Sequence, residues 1–265
     1  MTRSLFAATA LAASVFFGPG LPPFSGAAEA QEVGIAGEIG LGVRLRQEYF
    51  GASSYGFSPM GRGALEAITF GPVNFGTPGV RRVPDGFTLR GGFRIVPGRS
   101  AEDFSELAGL EDVDFSVELG LGAGYEAENF RVFADPRYGV VGHNAWVAEI
   151  GADYILRPSS DLEISIGPRA FFGSNDYADT YFGITDAEAL ASGGSFSAFD
   201  PDGGLLSYGI DMRVQRQLND YWSLRADLEI SEFVNGAADS PIVQAGSARH
   251  AIFGITLARR FSFGF

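Results

Sequence analysis

His143 and His250 are the only histidines in this 265-residue sequence, and cysteine is absent. A histidine can serve as base to a serine or threonine, or ligate a metal. His143 follows Gly142 and precedes Asn144, a pattern that reads as a tight turn, and no serine is fixed near it by spacing. His250 opens an alternating run near the carboxyl end, where an ordinary loop-edge role is expected. Two histidines in unrelated contexts do not make a metal site. Asp176, Asp179, Asp186 and Glu188 could meet a divalent cation, yet they lack calcium-loop spacing and read as solvated loop acids. The glycine runs near the amino end and at Gly120-Leu121-Gly122 are not phosphate loops, because no helix is expected after them. Without cysteine there is no thiol nucleophile, iron–sulfur ligand or disulfide framework. No catalytic residue, cofactor-binding residue or metal ligand is therefore assigned, and a non-enzymatic protein is expected.

The elements that carry these residues are strands. Val33, Ile35, Ile39, Leu41, Val43 and Leu45 share one face of the first, against Glu38, Gly40, Gly42, Arg44, Arg46 and Glu48 on the other. The same period of two recurs over 115–125, 146–156, 162–172, 206–214, 222–230 and 251–265. Weaker strands fit 64–70, 87–95 and 130–140, and 73–83 is crowded with glycine and Pro78. These make eleven, and Tyr181-Phe182-Gly183-Ile184 is the candidate for a twelfth. Twelve strands are expected, with ten as the alternative.

The polar face distinguishes a membrane barrel from a soluble sandwich. It carries glycine and charges of both signs within single strands, as with Asp153 and Arg157, Glu163 and Arg169, or Arg225 and Asp227. Such residues suit a wet, ion-paired interior while the apolar row meets acyl chains. The runs are also about 9–11 residues or longer, the length a tilted strand needs to cross a bilayer. Tyr49, Phe50, Tyr125, Trp146, Tyr154, Tyr221, Trp222 and Phe265 gather near strand ends, where an aromatic belt would lie. Leu206 is placed on the outer row with Tyr208 and Ile210. Arg259 alone breaks the outer row of the last strand, and either snorkels to the lipid boundary or marks a register shift.

Arg3, an apolar stretch from Leu5 to Phe17 and Ala28-Glu29-Ala30 form the pattern of a cleavable leader over 1–30, with a barrel over 31–265. No later window approaches 18 consecutive apolar residues, which excludes helical spans. The net charge of −13 excludes a basic nucleic-acid footprint. The expected class is thus an all-β, transmembrane antiparallel barrel in the outer membrane, in contact with outer-membrane lipid and delivered by the barrel assembly machinery.

SIGPRAFFGSNDYADTYFGIT, the loop Pro201-Asp202-Gly203-Gly204-Leu205, QLNDYWSLRADLEI, the loop 236–243 and the closing RRFSFGF resemble the MipA/OmpV family, the MltA-interacting proteins. Gly51-Ala52-Ser53-Ser54-Tyr55 is similar to the loop after that family's first strand, and Val141-Gly142-His143 to a glycine–histidine turn. Residues 60–110 depart from the family pattern. The resemblance implies an outer-membrane barrel. In some members that barrel is a scaffold joining a lytic transglycosylase to a peptidoglycan synthase, and in others it is linked to osmotic response or adhesion. It carries over no catalytic residue. A docking scaffold for peptidoglycan-remodelling enzymes is the leading expectation, with a narrow solute channel or a surface adhesin as alternatives.

Overall fold

The computed structural model describes residues 33–70, 73–76 and 86–264. The expected leader over 1–30 and the terminal Phe265 lie outside the described residues. The described residues form eleven strands: β1 (Val33–Gln47), β2 (Tyr55–Phe70), β3 (Val73–Gly76), β4 (Gly86–Val96), β5 (Ser116–Glu126), β6 (Phe130–Val141), β7 (Trp146–Ser159), β8 (Leu162–Gly173), β9 (Gly204–Gln217), β10 (Trp222–Phe233) and β11 (Arg249–Phe263). They form one antiparallel sheet in the order β3-β2-β1-β11-β10-β9-β8-β7-β6-β5-β4. Nearly every neighbour in space is a neighbour in sequence, and β1 pairs β11 to join the two ends of the chain. The sheet curls far enough that β2 and β4, near its two edges, come within 8 Å Cα–Cα. Arg44 of β1 donates from Nη2 to the Ile95 carbonyl of β4 at 3.2 Å, across those edges. This is a curled, barrel-like outer-membrane fold.

Burial is inverted relative to a water-soluble sheet. Leu41 is 74 % exposed, Phe57 81 % and Phe87 91 %, while Glu118 on the concave face is 0 % exposed. Water does not tolerate an apolar band of this kind, and an acyl-chain environment does. The alternation read from sequence therefore holds, with the apolar rows outward and the charges inward. Among the described residues no helix is long and apolar enough to cross a membrane.

Three expectations are corrected, and of the two outcomes open to Arg259 the register shift is not the one seen. Tyr181 and Phe182 do not start a twelfth strand; they end helix α1 (Asn175–Phe182). Gly183 follows as its C-cap, and Ile184 makes a single bridge to Phe199. The local spacing favours this, because Tyr177, Ala178, Tyr181 and Phe182 fall on one helical face and all four are buried. Tyr49 and Phe50 are not part of an aromatic belt, for both turn inward at one rim, Tyr49 to one apolar cluster and Phe50 to a second. Leu206 leaves the outer row, because the β8–β9 register shifts at Phe171/Phe172 and the leucine is fully buried in that same cluster. Arg259 marks no register shift: the β1–β11 and β10–β11 ladders run through it unbroken. It stays on the outer face with its guanidinium 5.8 Å from the ring of Trp222, its cross-strand partner.

The two rims differ. At one, short turns such as 160–161 and 218–221 join the strands. At the other, segments 97–115, 174–203 and 234–248 fold over the sheet and carry α1, α2 (Asp186–Ala191), α3 (Asn235–Asp239) and α4 (Pro241–Gln244). These form a cap with an apolar core of its own.

Candidate functional site: the inner wall and its cap

The inner wall is a set of ion pairs between strands. Arg90 on β4 makes a two-pronged bond to Asp135 on β6, at 2.8 and 2.9 Å. Asp153 on β7 accepts from Arg131 on β6 and from Arg169 on β8. Arg225 and Arg213 both donate to Asp227, at 2.7 and 3.0 Å. Arg62 bonds Glu38 at 2.9 Å, and Ser223 donates to the other oxygen of that carboxylate at 3.0 Å. In an interior of low dielectric the attraction within such pairs offsets the cost of desolvating them, and a lone member would be costly. Glycine makes room for them. A Cβ on Gly120 would sit 1.9 Å from the Pro136 carbonyl, so β5 approaches β6 here only because no side chain intervenes.

The cap is tied to this wall at defined points. Arg94 of β4 donates to the Tyr177 hydroxyl at 3.0 Å, lies 3.5 Å from Glu118 and covers the ring of Phe171 at 4.7 Å. Tyr181 shares a hydrogen bond with Ser116 at 3.0 Å, and its carbonyl accepts from Arg99 at 2.8 Å. Ser240 donates to the Phe182 carbonyl at 2.7 Å. Around these bonds Phe50, Tyr181, Phe182 and Phe233 pack with ring centroids 5.1–6.0 Å apart, a spacing that adds about 0.5–1.5 kcal/mol per pair beyond area burial. Burial pushes the Tyr177 and Tyr181 hydroxyls above their ordinary range, so both stay neutral. Burial, and then the charge and hydrogen bond of Glu106, push Tyr49 up to about 12.

The histidines hold structure. His143 lies in the turn between β6 and β7, fully buried at its side chain. Its Nδ1 accepts from the Ala145 N–H at 3.1 Å and its Nε2 stands 3.4 Å from Glu118. Folding does bring a serine close, as the sequence spacing could not show. Yet the Ser116 hydroxyl accepts from the His143 backbone N–H and meets Tyr181, not the imidazole. The ring lies against Gly139, where a Cβ would come within 2.3 Å of it. Gly142 adopts φ 85°, which favours glycine in this turn. His250 shares a hydrogen bond with Ser231 at 2.8 Å and stacks on Phe233 at 4.5 Å.

The loop acids divide. Glu188 closes a capping box with Thr185 at the start of α2 and accepts from the Glu111 N–H at 2.9 Å. Burial alone would raise its carboxyl. The backbone N–H groups of Glu111 and Thr185, the Thr185 hydroxyl and the Arg99 charge outweigh that and hold it below the usual range. Asp179 goes the other way: partial desolvation, then the charges of Asp200 and Asp176, raise it. Asp176 and Asp186 are exposed. Among the described residues no group of three or more histidines and acids is arranged to hold a metal ion.

Between wall and cap lies a cavity of about 190 Å³. Its sides include Arg44, Arg46, Glu229 and His250, and its ceiling is Phe50 and Phe182. No local pattern signals this grouping, since its members come from β1, the β1–β2 loop, β10, β11 and the cap segment 174–203.

Two curated relatives match part of the chain. It is 31 % identical over 90 residues to the outer membrane protein Omp26La of Vibrio anguillarum, covering 34 % of this chain and 33 % of that protein. It is 32 % identical over 90 residues to the outer membrane protein OmpV of Vibrio cholerae, with the same coverage. The matched stretch is thus about a third of each relative's length. Among solved structures, an outer membrane channel from Pseudomonas putida F1 aligns with 91 % of this chain and all of its own, at 14 % identity and a TM-score of 0.43. The model of the family described as MltA-interacting protein MipA matches residues 39–261. With that span matched and the inverted, lipid-facing sheet in place, the chain belongs to the MipA/OmpV family of outer-membrane proteins.

Proposed function

We propose that this non-enzymatic outer-membrane protein is a closed ten-stranded barrel whose narrow charged interior passes small solutes, entered by a chain whose leader over 1–30 is removed. Strand direction supports the count. Every ladder is antiparallel, so β3 and β4 both run parallel to β1. Two parallel neighbours do not occur in an antiparallel barrel. If β3 and β4 are successive parts of one strand, β2 closes against it and the total is ten, an even number as bacterial barrels require. The observation that carries the transport reading is the cavity beneath the cap, where Arg44, Arg46 and Glu229 form no ion pair among the described residues. A fully structural interior would neutralise them, because isolated buried charge is costly.

The test is conductance of the refolded chain in a planar bilayer. Discrete steps whose ion selectivity shifts when Arg44, Glu229 or Asp211 is neutralised are expected. A silent bilayer containing demonstrably folded protein overturns the reading.

A second reading rests on the description of the family as MltA-interacting. Here the barrel docks a lytic transglycosylase, and through it a peptidoglycan synthase, at the periplasmic rim. Crosslinking in intact envelopes should then recover the transglycosylase. Its absence, with the barrel assembly machinery recovered as a positive control, sinks this reading.

A further inference from the structure

We infer that the cavity beneath the cap is a binding site for a small zwitterionic amino acid with an apolar side chain. The inference deepens the channel reading and rests on it only for the route by which the solute arrives. Inward arginines of this wall are almost all committed: Arg62, Arg90, Arg94, Arg131, Arg137, Arg157, Arg169, Arg213 and Arg225 each meet a carboxylate within 4.0 Å. Arg44 and Arg46 differ. Arg44 donates to the Ser58 hydroxyl and the Ile95 carbonyl, both at 3.2 Å. Arg46 is 9 % exposed and donates only from Nε to the Gln47 carbonyl, at 2.9 Å. Among the described residues neither forms an ion pair, and both line the cavity.

The opposite sign is free on the other side. Glu229 on β10 accepts from the Ser231 hydroxyl at 2.8 Å, and among the described residues no arginine stands within ion-pair distance of it. Its cross-strand partner is another acid, Asp211, which Arg169 and Arg213 already meet at 3.0 and 3.5 Å, so among the described residues Glu229 is the acid of this pair that lacks an arginine partner. Glu229 stands two strands from β1, with β11 between, roughly 10 Å at the usual strand spacing. The cavity therefore brings together two arginines and one carboxylate that form no ion pair among the described residues.

A carboxylate on Arg44 and Arg46 would gain charge-assisted, forked hydrogen bonds, and an ammonium would meet Glu229. Neither a simple anion nor a simple cation satisfies both sides at once. Above them the rings of Phe50 and Phe182 offer an apolar surface. The volume of about 190 Å³ admits a solute of amino-acid size.

The test uses the full chain refolded in detergent, titrated calorimetrically with L-valine, with 3-methylbutanoate, which lacks the amine, and with isobutylamine, which lacks the carboxylate. L-valine should bind at least about tenfold more tightly than either analogue. Arg46→Gln should weaken L-valine by about tenfold or more, and Glu229→Gln should reduce it to the level of 3-methylbutanoate. Equal affinity for all three compounds, or no heat from L-valine near its solubility limit, overturns the proposal, and neither result depends on a variant that must fold. Unchanged affinity in a folded Arg46→Gln protein overturns it as well. Binding without conductance would retire the channel and keep the site; conductance without binding would do the reverse.

Discussion

The wall and the cap of this protein use the same apolar residues for two different solvents. On the wall, Leu41, Phe57 and Phe87 point outward and the buried groups are Glu118, Asp153 and Thr256. In the cap the order is the familiar one, with Phe182, Ile242, Val243 and Tyr177 buried and Asp176, Asp186 and Glu102 outside. The wall is stabilised by backbone ladders, which lipid obliges to be complete, and by ion pairs on its inner face. The cap is stabilised by area removed from water and by aromatic packing. Hence a substitution of the same chemical kind should have opposite consequences in the two regions.

The largest effect is expected in the cap core. Phe182→Ala removes a ring packed on Phe50 and Phe233 and should cost about 3–5 kcal/mol of cap stability. Near-UV circular dichroism of the cap tyrosines should melt early while far-UV strand signal persists; simultaneous loss of both would show that the two regions are one cooperative unit. On the wall, polarity is what hurts. Leu224→Arg or Ile255→Arg places a charge on the lipid face and should cost about 2–4 kcal/mol if mid-membrane, read as a lower urea midpoint in lipid vesicles. An unchanged midpoint would refute the outward facing of these strands.

Breaking the inner pairing is the next step down. Asp227→Ala leaves Arg225 without its carboxylate, while Arg213 keeps Asp211 at 3.5 Å, and a loss of about 1–3 kcal/mol is expected. Asp227→Asn should recover part of it, and a wild-type midpoint for the alanine variant would show the pair to be idle.

The smallest effect is a pH dependence confined to the cap. The Asp179 carboxyl is raised from 3.8. Its contribution is complete below that value and is lost as pH rises through the raised one. The Glu188 carboxyl is lowered from 4.5, so its contribution is present above that value and disappears as pH falls through the lowered one. Asp179→Asn should therefore raise the cap melting temperature at pH 7 and leave it unchanged at pH 3. An equal shift at both would assign the gain to packing instead of charge.

Much of the wall was legible because a period of two is local. Each of the segments 33–45, 115–125, 146–156 and 222–230 states its own two faces without reference to any partner. The cap was not legible in the same way. Tyr181 and Phe182 suit a short strand as well as a helix, and what selects the helix is burial against Phe50, Phe233 and Val243, which lie far away in sequence. Tyr49 and Phe50 sit at a strand end, as belt residues do, and only the loops folded above them turn them inward. Leu206 follows its row until a bulge in the neighbouring ladder redirects it.

By itself, then, the sequence determined that the chain is a sheet with one face for lipid and one for charge, since alternation and composition are properties of single strands. The tertiary structure decided which charges are spent on one another. Pairing joins residues on different strands, such as Arg90 with Asp135 or Arg131 with Asp153, so no spacing along one strand could reveal that Arg44, Arg46 and Glu229 remain unmatched around the cavity under the cap.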